Sequence, residues 1–361
     1  MTASSTPASP SSSTLRVVVA SPLSEEDCRL IEQAEPRIEL VRDQSLLPPM
    51  RHPADHNGDP AFQRTPHQQA AFERLLDSAD ALYGIPDVDP AALRRTVEAN
   101  PKLRWVQLMA AGGGAQVKAA GLSDPDLARV AFTTSAGVHG GPLAEFALLG
   151  ILAGAKQLPR LQADQRAHEW PGRRPLGQLR GQTVLLAGLG GIGREIARLT
   201  AALGMHVIGT RRPGSSTTAP FVDEYVSIDD LAGAAGRADA IVISLPGTTA
   251  TDRLVGAAVF EAARPGITVV NVGRGTVIDE DALVAALQNG QVGFAALDVF
   301  VTEPLPAASE LWDLPNVLVS PHTAALDPRE ERRIAELFTD NATRLLNGTP
   351  LRNTVNTVEF Y

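Results

Sequence analysis

The chain has 361 residues, of which 44% are hydrophobic and 20% are charged, and its formal net charge is −9. The length allows two domains of ordinary size, the composition is typical of a globular protein, and the negative charge disfavours nucleic acid as the main partner. The apolar stretch LAEFALLGILAGAKQL is interrupted by Glu145 and Lys156, so we expect no membrane span. The lone Cys28 excludes an internal disulfide and a cysteine metal cluster. We expect it to be a half-buried helical residue, with no metal site and a reducing cytoplasm as the location.

The predicted elements begin after a tail rich in Ser, Thr, Pro and Ala, residues 1–14, which we expect to be disordered. Ser24 is expected to open the first helix, because Glu25 and Glu26 then occupy its first turn, where the helix dipole favours acids. Residues 43–66 predict a long polar loop. Five short apolar runs in this half predict strands: LRVVVA, RIELV, ADALYG, RWVQLM and VAFTTS.

Residues 141–164 predict one long helix that joins the two halves of the chain. A second series of strands is predicted from TVLLAG, HVIGT, EYVSI, AIVISL, TVVNV, GFAALDV and VLVSP. Their near-continuous Val, Ile, Leu and Ala residues indicate parallel sheets that are covered on both faces. A closing helix over residues 328–347 can pack back on the first domain. We therefore predict an α/β fold with two domains.

The run GLGGIG follows a predicted strand and precedes an amphipathic helical pattern. Gly188, Gly190 and Gly193 have the G-x-G-x-x-G spacing of a dinucleotide-binding turn. Gly188 permits the tight turn, Gly190 lets the backbone approach a pyrophosphate, and Gly193 lets helix and strand pack closely. We place Gly191 and Ile192 in the same site, because a helix N-terminus supplies N–H groups to phosphates. A structural turn without a ligand is the alternative.

The stretch VIGTRRPG, residues 207–214, has two arginines where a dinucleotide-binding unit normally presents an Asp or Glu. The strand HVIGT is expected to end at Thr210, which we place in the cofactor site, so that the next side chains point to the adenosine ribose. Arg211 in place of a carboxylate removes the repulsion of a 2′-phosphate and offers hydrogen-bond donors to it, and Arg212 adds a second positive charge. We therefore predict that NADP(H) is preferred over NAD(H). The alternative is that both arginines are surface charges on a turn.

Polar side chains follow three later predicted strands, at the strand ends where doubly wound sheets bind their ligands. They are Arg274 in NVGRG, Asp298 and Glu303 in ALDVFVTEPLP, and His322 in SPHTAA. Each has a structural alternative when considered singly: a solvated turn for Arg274, a turn cap for Asp298, and exposed loop positions for the other two. As a set beside a nucleotide site, they suit hydride chemistry on an anionic carbonyl compound.

Reduction of a 2-oxo acid explains each residue type in this set. A guanidinium holds the substrate carboxylate with paired hydrogen bonds. Hydride arrival places negative charge on the carbonyl oxygen, so a protonated His is needed as the proton donor, and in the oxidation direction the neutral His acts as the base. A neighbouring Glu favours the protonated form of that His.

The successive motifs GLGGIG, NVGRG…IDEDAL, ALDVF…EPLP and SPHTAA resemble those of the D-isomer-specific 2-hydroxyacid dehydrogenase family, which includes glyoxylate/hydroxypyruvate reductases. The resemblance is close over residues 100–357 and loose over residues 15–100. It implies NAD(P)-dependent conversion of a small 2-oxo acid to the D-2-hydroxy acid. In that reaction Arg274 binds the carboxylate, His322 is the acid/base, and Glu303 tunes His322.

The resemblance implies further contacts. It places Asp298 at the nicotinamide end of the cofactor. The loop RWVQLMAAGGGAQ is similar to a family loop that binds substrate through backbone N–H groups, here those of Ala111 and Gly112. Gly113 and Gly114 depart from the family pattern, since many members have an apolar residue and Asp there. The predicted cofactor site is completed by Leu245, Pro246 and Val272.

The family architecture implies two Rossmann-like doubly wound domains with a cleft between them. The flavodoxin-like substrate domain then consists of residues 15–145 and 324–361, and the NAD(P)-binding domain of residues 146–323. The site is expected in the cleft, which closes by a hinge motion. Members are usually homodimers, and the helix 141–164 is either an interface element or a helix buried within one chain.

Other functions are weaker alternatives. A cofactor-sensing relative that binds partner proteins, as some co-repressors of the family do, has no need of an acid/base pair such as Glu303 and His322. Formate enzymes of this type have Gln where Glu303 stands, which disfavours formate or phosphite as the substrate. A short-chain dehydrogenase needs a Tyr followed by Lys four residues later, and no Tyr in the sequence has one.

Overall fold

The computed structural model describes residues 14–52, 54–216, 218–358 and 360. The tail predicted to be disordered, residues 1–14, lies outside the described residues except for Thr14. The chain divides into two compact units. Unit 1 contains the residues up to Val138 and from Asp327 onwards, and unit 2 contains His139–Leu326. The domain boundaries given above from the sequence and the cleft between the domains stay predictions.

The strands lie at the predicted apolar runs. In unit 1 they are β1 (Leu15–Val19), β2 (Ile38–Val41), β3 (Ala81–Tyr83), β4 (Trp105–Gln107) and β5 (Ala131–Thr133). In unit 2 they are β6 (Thr183–Ala187), β7 (His206–Arg211), β8 (Glu224–Ser227), β9 (Ala240–Ile243), β10 (Ile267–Asn271), β11 (Val292–Leu297) and β12 (Val317–Val319).

The helices connect these strands. In chain order the described residues form α1 (Glu25–Ala34), α2 (Pro66–Leu76), α3 (Pro90–Ala99), α4 (Gly114–Ala120), α5 (Asp124–Arg129), α6 (Gly140–Ala155), α7 (Leu158–Ala167), α8 (Gly191–Ala202), α9 (Leu231–Ala235), α10 (Ala257–Ala262), α11 (Glu280–Gln288) and α12 (Glu330–Leu346). None of the helices in the described parts of the chain combines the length and the apolar character needed to cross a bilayer.

The sheet of unit 1 is parallel, with the strand order β2-β1-β3-β4-β5. This order is that of flavodoxin-like doubly wound sheets, as predicted. Helix α1 begins where expected, because the Ser24 hydroxyl accepts a hydrogen bond from the Asp27 N–H at 3.1 Å. Cys28 lies in α1 but is fully buried rather than half-buried, and this burial raises the pKa of its thiol to about 12.

The closing helix α12 packs on the sheet of unit 1. The ring of Phe338 stacks on Trp105 of β4 with 4.7 Å between centroids, and it meets Tyr83 of β3 edge-on at 5.1 Å. Such pairs contribute about 0.5–1.5 kcal/mol each beyond the burial of their area. The last helix of the chain therefore completes the core formed by the first 138 residues.

In the predicted long loop 43–66, the described residues form one short 3-10 turn, Gln44–Leu46, and the last residue, Pro66, begins α2. Two arginines hold it in place. The hydrogen bond from Arg51 to Asp55 (2.7 Å) keeps the pKa of that carboxyl well below its ordinary value. The Arg64 guanidinium lies 4.0 Å from the centre of the Phe72 ring and pairs with Asp87 at 2.8 Å.

The sheet of unit 2 is also parallel, with the order β12-β11-β10-β9-β6-β7-β8. Buried apolar side chains cover both of its faces, as the Val-, Ile- and Ala-rich runs predict. The direction of strand order reverses between β6 and β9. In doubly wound sheets this switch point, at the carboxyl ends of the strands, is where ligands bind.

The prediction of one long helix over residues 141–164 is wrong. The chain forms α6 and α7, and Gln157 between them adopts φ +52°, which ends the first helix. Pro159 then lies in the first turn of α7, where its missing N–H leaves no hydrogen bond unmade. Helix α6 packs within unit 2, where Gly150 leaves room for Val270 and Ala296.

Candidate active site

The glycine turn between β6 and α8 has the predicted geometry. Gly188 adopts φ +111°, a conformation that side chains other than glycine strongly disfavour. A Cβ on Gly193 would overlap the Gly188 carbonyl oxygen, so glycine is needed for this close approach of helix and turn. A Cβ on Gly190 would meet no described atom within 4 Å, and α8 begins at the next residue, Gly191. The N–H groups of Gly191 and Ile192 thus lie at a helix N-terminus beside open space.

Thr210 supports this turn from within. Its side chain is buried; the Gly188 N–H donates to its hydroxyl oxygen at 3.1 Å, and the hydroxyl donates to the Leu186 carbonyl at 3.1 Å. Thr210 therefore ties the end of β7 to the glycine turn. Strand β7 extends to Arg211, one residue beyond the predicted end at Thr210, because it continues its pairing with β8 up to Ser227.

The two arginines after Thr210 lie at the carboxyl end of β7. Arg211 is partly exposed, and its guanidinium carbon lies 4.6 Å from the centre of the Tyr225 ring. Arg212 is exposed, and its carbonyl accepts a hydrogen bond from the Ser215 N–H at 3.1 Å. Both positive charges therefore lie at the strand end where a nucleotide ribose is expected.

The turn that carries Arg274 is shaped by a buried amide. The Asn271 side chain accepts from the Gly273 N–H and donates to the Arg274 carbonyl, each at 3.0 Å. A Cβ on Gly275 would overlap the Phe300 carbonyl group, so this turn packs directly on the backbone that follows β11. The Arg274 side chain is exposed and donates to the Gly273 carbonyl at 2.7 Å. Asn271 and the neighbouring glycines thus present a guanidinium at the end of β10.

Asp298 follows β11 and is buried. One of its carboxylate oxygens accepts from the Ser320 hydroxyl at 2.6 Å and from the N–H groups of Thr323 and Ala324 at 2.9 and 3.0 Å. The Asp298 carbonyl accepts from the His322 N–H at 2.9 Å. This residue therefore organises the loop that presents His322, while the predicted contact with a nicotinamide ring stays a prediction.

Glu303 and His322 form a direct pair. The His322 Nδ1 atom lies 2.7 Å from a Glu303 carboxylate oxygen, and the other oxygen accepts from the Phe300 N–H at 3.0 Å. Partial burial raises the pKa of Glu303, but the hydrogen bonds from His322 and Phe300 and the positive charges of His322 and Arg274 outweigh it, so the pKa lies below its ordinary value. His322 itself adopts φ +53°. The His322 side chain is 46% exposed, so it is accessible from solvent while its Nδ1 atom contacts Glu303.

The remaining predicted site residues are three in unit 2 and two in unit 1. Leu245 and Pro246 follow β9, and a Cβ on Gly273 would come within 3 Å of the Leu245 backbone, so these residues border the Arg274 turn. The Val272 side chain is buried in the core of unit 2, which leaves its backbone for any cofactor contact. Ala111 and Gly112 are exposed in unit 1, just before α4. Their predicted role in binding substrate stays a prediction.

The sequence did not predict a supporting role for four residues: Asn271, Gly275, Ser320 and Tyr225. Asn271 and Ser320 have a recognisable signal, since each is a buried polar residue at the end of an apolar strand. Gly275 and Tyr225 act through contacts with distant parts of the chain, which a pattern along the sequence does not contain.

The residues around β6, β7 and β9 fit a dinucleotide. The open space over Gly190, the helix N-terminus at Gly191 and the positive charge at Arg211 lie in the order in which a pyrophosphate and an adenosine ribose would need them. Among the described residues, no cluster of three or more His, Cys, Asp or Glu side chains is arranged to hold a metal ion.

Comparisons with known proteins agree with this geometry. Residues 148–324 match the family described as D-isomer specific 2-hydroxyacid dehydrogenase, NAD binding domain. A D-3-phosphoglycerate dehydrogenase of Archaeoglobus fulgidus is 33% identical over 214 residues, which are 59% of this chain and 40% of that protein. The chain thus matches less than half the length of that relative. A glyoxylate/hydroxypyruvate reductase B of Pectobacterium carotovorum is 33% identical over 220 residues, 59% of this chain and 68% of that protein.

A solved structure is similar over nearly the whole chain. It is an NADPH-dependent glyoxylate/hydroxypyruvate reductase from Sinorhizobium meliloti in complex with NADP and sulfate. Its sequence is 26% identical, and the two structures align with a TM-score of 0.72 over 96% of this chain and 100% of that one. The similarity therefore extends through both units and not only through the matched domain.

Proposed function

The chain belongs to the D-isomer-specific 2-hydroxyacid dehydrogenase family, and we propose that it reduces a small 2-oxo acid, of the glyoxylate or hydroxypyruvate kind, to the D-2-hydroxy acid. The observation that carries this proposal is the 2.7 Å contact between His322 and Glu303 at the carboxyl edge of the sheet of unit 2. This pair is the arrangement that a proton donor to a developing alkoxide requires.

In this proposal each polar residue at the edge has one task. A bound nicotinamide cofactor supplies the hydride. Arg274 holds the substrate carboxylate through its guanidinium, which matches the planar shape of the anion. His322 donates its proton to the carbonyl oxygen as negative charge develops there, and Glu303 favours the protonated ring through the hydrogen bond to Nδ1. In the reverse direction the neutral ring of His322 accepts the proton.

The cofactor would be held by the glycine turn and the end of β7. The N–H groups at Gly191 and Ile192 would face the pyrophosphate, and Arg211 with Arg212 would face a 2′-phosphate. We propose NADP(H) as the preferred cofactor, with NAD(H) as the weaker one. Charge-assisted contacts of this kind are worth about 1.5–3 kcal/mol, which corresponds to a preference of roughly ten- to a hundredfold after allowance for solvent exposure.

A substrate panel tests the reaction. Glyoxylate, hydroxypyruvate, pyruvate, phenylpyruvate and 2-oxoisocaproate are each supplied with NADPH and with NADH, and kcat/KM is measured for every pair. We expect turnover of at least one small 2-oxo acid, the D configuration in every product that has a stereocentre at C2, and a higher kcat/KM with NADPH. Absence of turnover on the whole panel would contradict the proposed reaction.

Substitutions of the two arginines test the cofactor preference. Arg211→Asp introduces a carboxylate that suits the ribose hydroxyls of NAD. The ratio of kcat/KM for NADPH to that for NADH should therefore fall by at least tenfold. Arg212→Asp, measured in parallel, reports how much the second cation adds. A parent that prefers NADH, or a ratio that does not move in Arg211→Asp, would contradict this part.

The alternative of a cofactor-sensing, partner-binding relative is not favoured. A protein that only binds a nucleotide needs the glycine turn, but it gains nothing from an imidazole paired with a carboxylate beside an exposed Arg274. The hydrogen bonds of the buried Asp298 carboxylate to the loop of His322 support the same conclusion, because they fix the position of a side chain that binding of a nucleotide does not use.

We also propose a cytoplasmic homodimer. The segment around α7 exposes large apolar side chains: Leu161 is 45% exposed, Trp170 98% and Leu176 44%. Exposed apolar residues concentrated in one segment are typical of an interface. Light scattering on the purified chain should give twice the mass of one chain, and Trp170→Ser should shift the equilibrium toward the monomer.

A further inference from the structure

The partner of Arg211 is unusual for a surface arginine. Several arginines of unit 2 pair with carboxylates, as Arg198 does with Glu195, Arg237 with Glu224 and Arg264 with Asp239. Others, such as Arg194 and Arg274, donate to backbone carbonyls. The Arg211 guanidinium instead lies 4.6 Å from the centre of the Tyr225 ring. Within the ranges of the chain that the structure describes, no carboxylate oxygen comes within 4.0 Å of it.

The register of the sheet explains this contact. In the parallel pair of β7 and β8, Gly209 lies opposite Tyr225 and Arg211 lies opposite Ser227. Residues two apart on a strand point to the same face, so Arg211 and Tyr225 are diagonal neighbours. A Cβ on Gly209 would come 2.5 Å from the Leu189 side chain, which shows that the glycine turn packs on this same face.

The Tyr225 hydroxyl makes a second connection. It accepts a hydrogen bond from the Ala219 N–H at 2.6 Å and donates one to the Ala219 carbonyl at 2.9 Å. Ala219 belongs to the segment that follows the two arginines. Tyr225 therefore contacts Arg211 with its ring and anchors the next part of the chain with its hydroxyl.

An aromatic partner affects the charge of an arginine differently from a carboxylate. A carboxylate fixes a guanidinium and also neutralises it, so an incoming anion has to compete with an internal one. A ring face holds the guanidinium through its quadrupole and leaves the net positive charge in place. In a stacked guanidinium the N–H groups point outward in the plane, where they remain available as donors.

We propose that Tyr225 is a positioning residue that holds Arg211 at the end of β7 with its charge uncompensated, and that it thereby sets the preference for a 2′-phosphorylated adenosine ribose. This inference rests on the proposed function, since it takes Arg211 as the group that contacts the 2′-phosphate.

Binding of two adenosine nucleotides tests the inference without any turnover. The probes are adenosine 2′,5′-bisphosphate and 5′-AMP, which differ only in the 2′-phosphate, and their Kd values are measured by calorimetry on the full chain. Tyr225→Ile removes the ring and keeps a residue that suits a strand. We expect the preference for the bisphosphate to fall by about 3- to 20-fold, with the Kd of 5′-AMP changing less than about twofold.

Further variants test whether the effect comes from the ring of Tyr225 and acts through Arg211. Tyr225→Phe keeps the ring and loses both bonds to Ala219, so most of the preference should remain. In the Arg211→Ala background, Tyr225→Ile should change the preference by less than about twofold, because the ring then has no guanidinium to hold. Tyr225→Thr serves as the ring-free variant if Tyr225→Ile does not fold, and thermal unfolding is followed for each.

The outcomes distinguish this inference from the proposal beneath it. A parent that binds both probes equally well would overturn both the 2′-phosphate site and the role of Tyr225. A parent whose preference is lost in Arg211→Ala but kept in Tyr225→Ile would overturn only the role of Tyr225. Equal loss of affinity for the two probes in Tyr225→Ile would show a purely structural role and would also overturn it.

Discussion

The carboxyl edge of the sheet in unit 2 contains two regions that are built differently. At the ends of β10, β11 and β12, buried side chains fix the backbone, as Asn271 does for the turn of Arg274 and Asp298 for the loop of His322. At the end of β7 the buried Thr210 also fixes the backbone, but the side chain of the next residue, Arg211, contacts the partly exposed ring of Tyr225.

This difference matches the proposed tasks of the two regions. Proton transfer requires heavy atoms within hydrogen-bond reach of each other, and buried, fully bonded groups provide that precision. Recognition of a phosphate on a ribose tolerates more variation, so contacts at the surface are sufficient for it. Substitutions in the first region should therefore affect turnover, and substitutions in the second should affect the choice of cofactor.

The largest expected effect lies at the centre of the first region. His322→Gln removes the proposed proton donor and should lower kcat by a factor of about 10²–10⁴. Cofactor affinity should be nearly unchanged, because in the proposed reaction the imidazole contacts the substrate. His206→Gln is the matched control, because His206 lies at the amino end of β7, on the edge of the sheet away from the proposed site. A His322 variant that keeps more than half of the parent kcat would place the chemistry elsewhere.

Asp298→Ala tests whether buried bonds position the first region. The change leaves the buried Ser320 hydroxyl and the part-buried N–H groups of Thr323 and Ala324 without their acceptor. A buried group left unpaired costs about 1–3 kcal/mol, and the two part-buried groups cost less, because water can reach them. We expect kcat to fall by about 10- to 100-fold, with a smaller change in KM, and the midpoint of thermal unfolding to fall as well. Ser320→Ala removes one bond of the three and should have a smaller effect in the same direction. An unchanged kcat in Asp298→Ala would show that the loop needs no such anchor.

Arg274→Lys keeps the positive charge but loses the planar fork that matches a carboxylate. The KM for the 2-oxo acid should rise by about tenfold, the value that corresponds to roughly 1.4 kcal/mol of binding. Arg264→Lys, at the amino edge of the same sheet, is the control. Equal kinetics for parent and Arg274→Lys on every substrate of the panel would mean that another group holds the carboxylate.

The smallest expected effect is a change in pH dependence. The pKa of Glu303 lies below its ordinary value, so the carboxylate remains ionised over the working range and favours protonated His322. Glu303→Gln removes that charge and leaves a neutral amide beside Nδ1 of His322. In the proposed reaction the carboxylate favours the protonated donor, so the pH profile of reduction should move to lower pH in this variant. A profile that does not move would mean that the contact has no electrostatic role.

The sequence predicts the strands and the glycine turn well, because both depend on local patterns. The runs of Val, Ile and Leu locate the strands, and the glycine spacing indicates the turn. The break between α6 and α7 also had a local signal, since Pro159 is typical of a helix start, but the apolar pattern on both sides of it favoured one helix. The error thus came from giving periodicity more weight than proline.

The site is predicted less completely, since its support depends on long-range contacts. The order of the motifs identifies Arg274, Glu303 and His322, and the structure brings the last two into contact. The bonds of Asp298 to a loop more than twenty residues away, and the contact of Arg211 with Tyr225 on the next strand, depend on the sheet that forms between them. Such partners become visible only when the strands are paired.

The backbone of His322 has a consequence for protein engineering. Its φ of +53° lies in the left-handed region, which glycine and asparagine occupy more readily than most residues. Replacement of His322 by glycine would lower the backbone cost of this conformation while it removes the proposed acid/base group. A library screened only for thermal stability should therefore enrich inactive sequences at this position, so a screen that aims at a robust catalyst needs to keep residue 322 constant or select for turnover at the same time.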